Sequence, residues 1–241
     1  MKVTEYIANT IGRLPKGYVF TYEDFINEVN SKEAVIKALN RMTTSGKIAK
    51  LARGKYYKPE KTVFGNLQPN QFQVVKDLLE DNGKVIGYLT GFSIYNQLGL
   101  TTQISNTIQI GKNEIRPAIK RDRYTISFIK QKNTITKDTI PFLQLLDSIR
   151  YIKKIPDTNV TSACKRFKSI IQSWPQEDKA PLVRLAQKYP PSTRALLGAL
   201  LEDTGNVSLT ENLKKTLNPI SKYKLSMASK VLLAAEKWNI E

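Results

Sequence analysis

The sequence predicts an α+β protein. Its expected parts are an N-terminal winged helix-turn-helix over residues 1–61, a mixed α/β region over 62–158 and a helical region over 159–241. A single bilobed domain over 62–241 is the alternative division. Three observations carry this reading. An amphipathic helix pattern at 31–45 runs into two short strand-like stretches joined by Arg53-Gly54. Short strand-like runs alternate with short helices through the middle. From about Thr158 only helical patterns remain, punctuated by Pro175, Pro190-Pro191, Gly205 and Pro219.

The elements follow in order. Ile7, Ile11 and Leu14 share one face of a helix over 4–14, which Pro15-Lys16-Gly17 ends. Tyr18 to Thr21 is a short strand. Thr21 can cap a helix over 22–29, with Asp24 placed for a near capping box. Ser31 caps the next helix. Val35, Ile36, Leu39 and Met42 form its inward stripe, and Gly46 sits at the position where a helix commonly stops in the left-handed conformation. Ile48 to Ala52 alternates with period two, Arg53-Gly54 turns, and Lys55 to Lys58 returns. Helix, strand, helix, helix, strand, strand is the winged-helix order.

Residues 60–70 read as a connection. A helix over 69–82 is expected to turn Phe72, Val75, Leu78 and Leu79 inward, with Gly83 closing it. A second helix over 91–98 ends at Gly99. Strands are expected at 107–110 and 124–129, and a helix at 141–151. The last third is expected to hold helices at 163–173, 180–188, 193–202, 208–217 and 222–238. Arg194 falls in the first turn of one of these, where a cation opposes the helix dipole, so a carboxylate partner is expected.

Charge points to the partner. Between Ser31 and Lys58 stand eight cations, Lys32, Lys37, Arg41, Lys47, Lys50, Arg53, Lys55 and Lys58, against Glu33 alone. The chain carries a formal net charge of +17, distributed as +6 (12 basic, 6 acidic) over 1–61, +5 (13 and 8) over 62–160 and +6 (13 and 7) over 161–241. Such a surface draws polyanions by long-range attraction. In a winged helix the second helix enters the major groove and the ribbon lies on phosphates. The expected DNA-binding residues are therefore Lys32, Lys37, Asn40, Arg41, Lys47, Arg53, Lys55 and Lys58. Asn40 and Arg41 are the residue types that pair with adenine and guanine edges. A further cluster, Lys112, Arg116, Lys120, Arg121, Arg123, Lys130 and Lys132, either extends that footprint or is a solvated hairpin face.

Composition excludes much chemistry. The chain has no histidine and one cysteine, Cys164. That removes Ser-His and Cys-His nucleophile systems, an internal disulfide and a cysteine–histidine zinc site. The carboxylates Asp77, Glu80-Asp81, Glu177-Asp178 and Glu202-Asp203 match no nuclease or transferase template, and no phosphate-binding glycine loop is present. A binding protein without metal or cofactor is expected, not an enzyme. No apolar stretch approaches the ~20 residues needed to cross a bilayer. The first 14 residues lack the apolar core of a secretory signal, so a cytoplasmic setting without membrane partners is expected.

Three ordered blocks carry a resemblance. The first is Gly17-Tyr-Val-Phe-Thr, Asp24-Phe25, Ala38-Leu39-Asn40-Arg41, Gly46-Lys47-Ile48 and Leu51-Ala-Arg-Gly-Lys-Tyr-Tyr. The second is Ser93-Ile-Tyr-Asn-Gln-Leu-Gly-Leu-Thr-Thr-Gln. The third is Tyr189-Pro-Pro-Ser-Thr-Arg-Ala-Leu-Leu-Gly-Ala-Leu-Leu-Glu. Together they resemble the AbiEi antitoxins of AbiE-type (type IV) toxin–antitoxin and abortive-infection systems. The resemblance implies a winged-helix autorepressor that binds inverted repeats in double-stranded promoter DNA and neutralises a nucleotidyltransferase toxin. A solitary winged-helix regulator, a nucleic-acid-acting enzyme with a winged-helix targeting module, and a basic module that meets an acidic protein are the alternatives.

Overall fold

The computed structural model describes residues 3–241, and the chain is an α+β protein. It divides into two compact units. One holds the described residues up to Asp77 together with Lys120–Tyr124; the other holds Leu78–Ile119 and Thr125–Glu241.

In the first unit the elements are α1 (Val3–Arg13), β1 (Val19–Thr21), α2 (Glu23–Ile26), α3 (Lys32–Thr44), β2 (Ala49–Ala52) and β3 (Lys55–Tyr57). The three strands form an antiparallel sheet in the order β1-β3-β2, with Phe20 opposite Tyr56 and Lys50 opposite Tyr56 on the other side. Their core is a cluster of Ile7, Ile11, Phe20, Phe25, Val35, Leu39 and Ile48, all 3% exposed or less. On α3 the inward stripe is Val35, Ala38, Leu39 and Met42. Ile36 is only partly buried, because it lies one residue, about 100°, away from Val35 around the helix.

Residues 60–70 do not form a simple connection. They fold into a hairpin, β4 (Glu60–Thr62) with β5 (Gly65–Leu67), whose tip leaves Val63 and Phe64 exposed. Then comes α4 (Gln71–Leu79), where Val75, Leu78 and Leu79 are buried as expected, Val74 joins them, and Phe72 faces out.

The second unit begins with a two-stranded ribbon, β6 (Glu80–Asp81) and β7 (Lys84–Val85). Its turn is Asn82-Gly83, both at positive φ (47° and 76°), the conformation that favours Asn-Gly in tight hairpins. Next come β8 (Tyr88–Thr90), α5 (Phe92–Tyr95) and β9 (Thr107–Lys112); after β10 (Ile119–Arg121), whose Lys120 and Arg121 fall in the first unit, comes β11 (Tyr124–Lys130), and the strands of this unit neighbour one another in the order β11-β9-β8. Strands β9 and β11 are parallel, with Ile108 level with Ile126. Helices α6 (Ile140–Arg150), α7 (Val160–Ser173), α8 (Gln176–Ala186), α9 (Pro191–Asp203) and α10 (Glu211–Lys214) complete it. Every residue from Ala195 to Leu201 of α9 is buried, which makes it the central helix of this unit.

The expected boundary at 158 is not there. One continuous core cluster runs from Tyr88 through Leu146, Phe167 and Leu197 to Ile240, so the mixed and helical regions are one body. The boundary at 61 moves to Asp77.

The helix expected at 222–238 is also absent. Among the described residues the segment forms two short 3-10 turns, Ala228–Lys230 and Glu236–Trp238, with Met227 at φ 74°. Tertiary contacts override its helical composition. The buried Asp203 carboxylate accepts the backbone N–H groups of Leu233 and Ala234, each at 3.0 Å, and Lys168 pairs with it. The Trp238 ring lies over Gly198, so close that a Cβ there would stand 2.2 Å from it. No helix of the described residues is long and apolar enough to cross a membrane.

Candidate nucleic-acid interface

Helix α3 is fixed at both ends by its own sequence. Ser31 Oγ accepts the Ala34 N–H at 3.3 Å. At the other end Gly46 takes φ 69° and its N–H reaches the Thr43 carbonyl, while Lys47 N–H reaches the Met42 carbonyl, both at 3.0 Å. These are the two bonds of a Schellman stop. Ahead of α3, Asp24 Oδ2 accepts the Thr21 N–H at 2.7 Å and Thr21 Oγ1 accepts the Glu23 N–H at 3.1 Å, the reciprocal bonding that Thr21 and Asp24 suggested. The helix over 22–29 is nonetheless cut to the single turn of α2.

With the core stripe facing inward, Lys37, Asn40, Arg41 and Thr44 share the opposite, exposed face at helical spacing. Lys37 and Arg41 are four residues apart. Like charges at that spacing repel by about 0.2–0.5 kcal/mol on a helix. Neither has an ion-pair partner among the described residues, and neither do Lys32, Lys47, Lys50 and Arg53, all exposed. Lys32 Nζ lies 4.5 Å from the Tyr22 ring centroid. Arg53 occupies the β2–β3 turn beside Gly54, which needs φ 72°. Asn40 is held from behind: its Oδ1 accepts the Tyr56 hydroxyl at 3.0 Å, and Tyr56 stacks on Phe20. The Asn40 amide is thereby anchored to β3, with Nδ2 lacking a protein partner among the described residues.

Two of the expected DNA contacts serve the fold. Lys58 Nζ donates to the carbonyls of Gly12 (2.7 Å) and Leu14 (2.9 Å), closing the C-terminus of α1. Lys55 pairs with Asp77 at 3.0 Å. Asp77 also receives a two-pronged bond from Arg121, at 2.6 and 2.8 Å, and Arg121 donates to the Val74 carbonyl as well. Burial pushes the Asp77 carboxyl up, and Arg121 and Lys55 more than reverse that, leaving it below the usual carboxylate range. The expected cluster at 112–132 is thus not one free face. Arg121 is a structural ion pair, Lys112 is buried, and Arg123 lies over the Tyr124 ring while donating to its hydroxyl at 2.9 Å. Arg194 has no carboxylate partner among the described residues, and its Nε is buried without a hydrogen bond, contrary to the expected pairing.

One constellation escaped sequence reasoning. Asp147, 1% exposed on α6, accepts three hydroxyls: Tyr88 at 2.7 Å and Thr90 at 2.8 Å on Oδ2, and Tyr189 at 2.8 Å on Oδ1. Gln131 Nε2 donates to both tyrosine hydroxyls, and Asn133 donates twice to Gln131 Oε1. Burial raises the Asp147 carboxyl above its ordinary value, and raises the Tyr88 and Tyr189 hydroxyls too. Its signal in the sequence was a lone acid four residues after the inward Leu143, on the apolar side of its helix. The network is closed: each carboxylate oxygen already accepts a hydroxyl, so it acts as a polar tie between sheet and helices.

A family model described as a family of unknown function (DUF6088) matches residues 6–179. No curated protein matches the chain. Among solved structures, the RV2827C protein from Mycobacterium tuberculosis is similar over 94% of this chain and 85% of its own, with 15% sequence identity and a TM-score of 0.48.

Proposed function

We propose that this chain, which belongs to the DUF6088 family, is a cytoplasmic, sequence-specific DNA-binding protein that represses transcription from promoter inverted repeats. The supporting observation is the exposed face of α3 and its following turn. Lys37 and Arg41 repel one another without a carboxylate between them, and Arg53 is presented on a tight turn beyond the helix. A face whose cations form no ion pair among the described residues is suited to a polyanion, whose phosphates convert the repulsion into attraction. Helix α3 then enters the major groove. Arg41 and Asn40 meet base edges, while Lys32, Lys37, Lys47 and Arg53 meet phosphates. Lys55 and Lys58 drop out of the DNA-binding set, because their ammonium groups are already engaged.

The three ordered sequence blocks support a more specific role as the antitoxin of an AbiE-type system, with a nucleotidyltransferase toxin as functional partner. Coexpression with a nucleotidyltransferase encoded beside it should restore growth. Continued growth arrest would remove the antitoxin role and leave the repressor.

The DNA reading is tested by fluorescence anisotropy on the duplex upstream of the protein's own coding region, across a salt series. Arg41→Ala should cost ~1–3 kcal/mol and relax specificity. The triple variant Lys37→Ala, Arg41→Ala, Arg53→Ala should flatten the salt dependence, the log–log slope changing by about 0.9 for each phosphate no longer neutralised. Wild-type affinity and slope in the triple variant would refute the interface.

A further inference from the structure

The second unit carries two adjoining cavities, of about 410 and 350 Å3. They share Arg150 and Pro190. Lys153, Lys154 and Lys224 line the larger, and Lys130, Lys132 and Lys188 the smaller. That makes seven cations, and none of the lining residues is acidic. All seven are exposed, and none takes part in an ion pair among the described residues. Lys153 Nζ donates to the Lys224 carbonyl at 2.6 Å and Lys188 Nζ to the Lys132 carbonyl at 3.4 Å. These bonds place the ammonium groups without neutralising them. Arg150 acts on the Asp147 carboxyl, which is itself buried and closed off by three hydroxyls.

The walls of the larger cavity are apolar, built from Ile149, Ile152, Leu196 and Leu225. An occupant must therefore present flat or apolar bulk to the cavity and several negative charges to its rim. A protein partner would have to supply carboxylates and bulky side chains from different residues at matching spacing. A chain of nucleotides brings bulk and charge together: bases for the cavities and phosphates for the cations between and around them.

We infer that the second unit holds a single-stranded nucleic-acid site, separate from α3, in which the two cavities take bases, Arg150 sits between them and the six lysines hold the backbone. The site does not depend on the duplex-binding reading of the first unit.

The test is anisotropy of the full chain with labelled oligo(U) and oligo(dT) 12-mers, with UMP as competitor. The groove variant is Lys132→Gln, Lys154→Gln, Lys188→Gln, Lys224→Gln, and the α3 triple variant serves beside it. All seven substituted side chains are exposed, so both proteins should fold, which circular dichroism checks. The groove variant should lose most 12-mer affinity, and its salt slope should flatten by about 0.7 for each phosphate no longer neutralised. The α3 variant should bind the 12-mers as wild type does, while the groove variant keeps duplex binding. Preference for oligo(U) or oligo(dT) identifies RNA or DNA as the strand. The absence of saturable 12-mer binding would overturn the site, as would loss of it in the α3 variant alone. Displacement by UMP as effective as by the strand would also overturn it, since a mononucleotide pocket needs no run of cations.

Discussion

Asp147 offers a sharp test of how the second unit is held together. Its carboxylate accepts three hydroxyls at 2.7–2.8 Å and is almost fully buried. Asp147→Ala strands the Tyr88 and Thr90 hydroxyls, leaves Tyr189 only the Leu143 carbonyl 3.4 Å away, and opens a void, so at about 1–3 kcal/mol for each stranded hydroxyl it should cost about 2–6 kcal/mol. Asp147→Asn differs in kind. Its oxygen can take the two bonds now made to Oδ2, and its NH2 can donate to the Tyr189 oxygen. Tyr189 then turns its proton to the Leu143 carbonyl, 3.4 Å away. One good bond becomes a long one, a loss of about 1 kcal/mol.

The pH dependence separates the two protonation states. Burial lifts the Asp147 carboxyl above its ordinary value of 3.8, and the hydroxyls and Arg150 offset only part of that. The folded state therefore holds this proton after the unfolded chain has released it. The contribution to stability is complete below about 3.8 and declines as pH rises through the interval up to the folded value. Asparagine has no proton to release. Urea unfolding of both proteins from pH 4 to 8 should show the wild-type advantage over Asp147→Asn shrinking as pH rises. An advantage that grows with pH would mean that the hydroxyls outweigh burial, and would refute the reasoning.

Single interactions set three further expectations. Lys58→Met keeps the aliphatic stem and loses two carbonyl bonds at the end of α1; it should lower stability by about 1–3 kcal/mol in urea unfolding, with the salt slope of DNA binding unchanged. Gly198→Ala would drive a methyl into the Trp238 ring, so it should destabilise by about 1–3 kcal/mol or more and shift Trp238 fluorescence; unaltered stability and emission would disprove that packing. Cys164 is fully buried and its thiol is pushed up to about 12, so a thiol reagent at pH 8 should label it only as fast as the protein opens.

What could be read in the sequence was what is encoded locally. Ser31, Gly46 and Gly99 mark helix ends by their own conformational preferences, and the structure uses them so. The α3 stripe is spaced by helix geometry, so its exposed face followed directly. Gly83 fits a helix stop and a hairpin turn equally well, since glycine serves both purposes, so the expected helix over 69–82 hides the β6–β7 hairpin. Distant partners were not legible. Nothing near Lys55 or Lys58 reveals Asp77 or the end of α1. The segment 222–238 has helical composition, yet Asp203 and Gly198, contributed by α9, take its N–H groups and its tryptophan. Asp147 was visible only as an acid on an apolar face, and its three donors come from elsewhere in the chain.

Formal charge therefore ranks the basic residues poorly, and their partners rank them well. Of the eight cations between Ser31 and Lys58, Lys55 and Lys58 have their ammonium groups filled by a carboxylate and by carbonyls. Arg121, within the basic run at 112–132, has its guanidinium filled likewise. Removing those should weaken the fold. Lys37, Arg41 and Arg53 in one unit, and Lys130, Lys132, Arg150, Lys154 and Lys224 in the other, have their charged groups in no ion pair and no bond to a carbonyl among the described residues. Mutual repulsion makes such groups mildly unfavourable to folding at low salt. Replacing them with neutral residues should leave stability unchanged or raise it, while binding of polyanions falls. Opposite signs on stability and binding distinguish a cation kept for a partner from one kept for the fold.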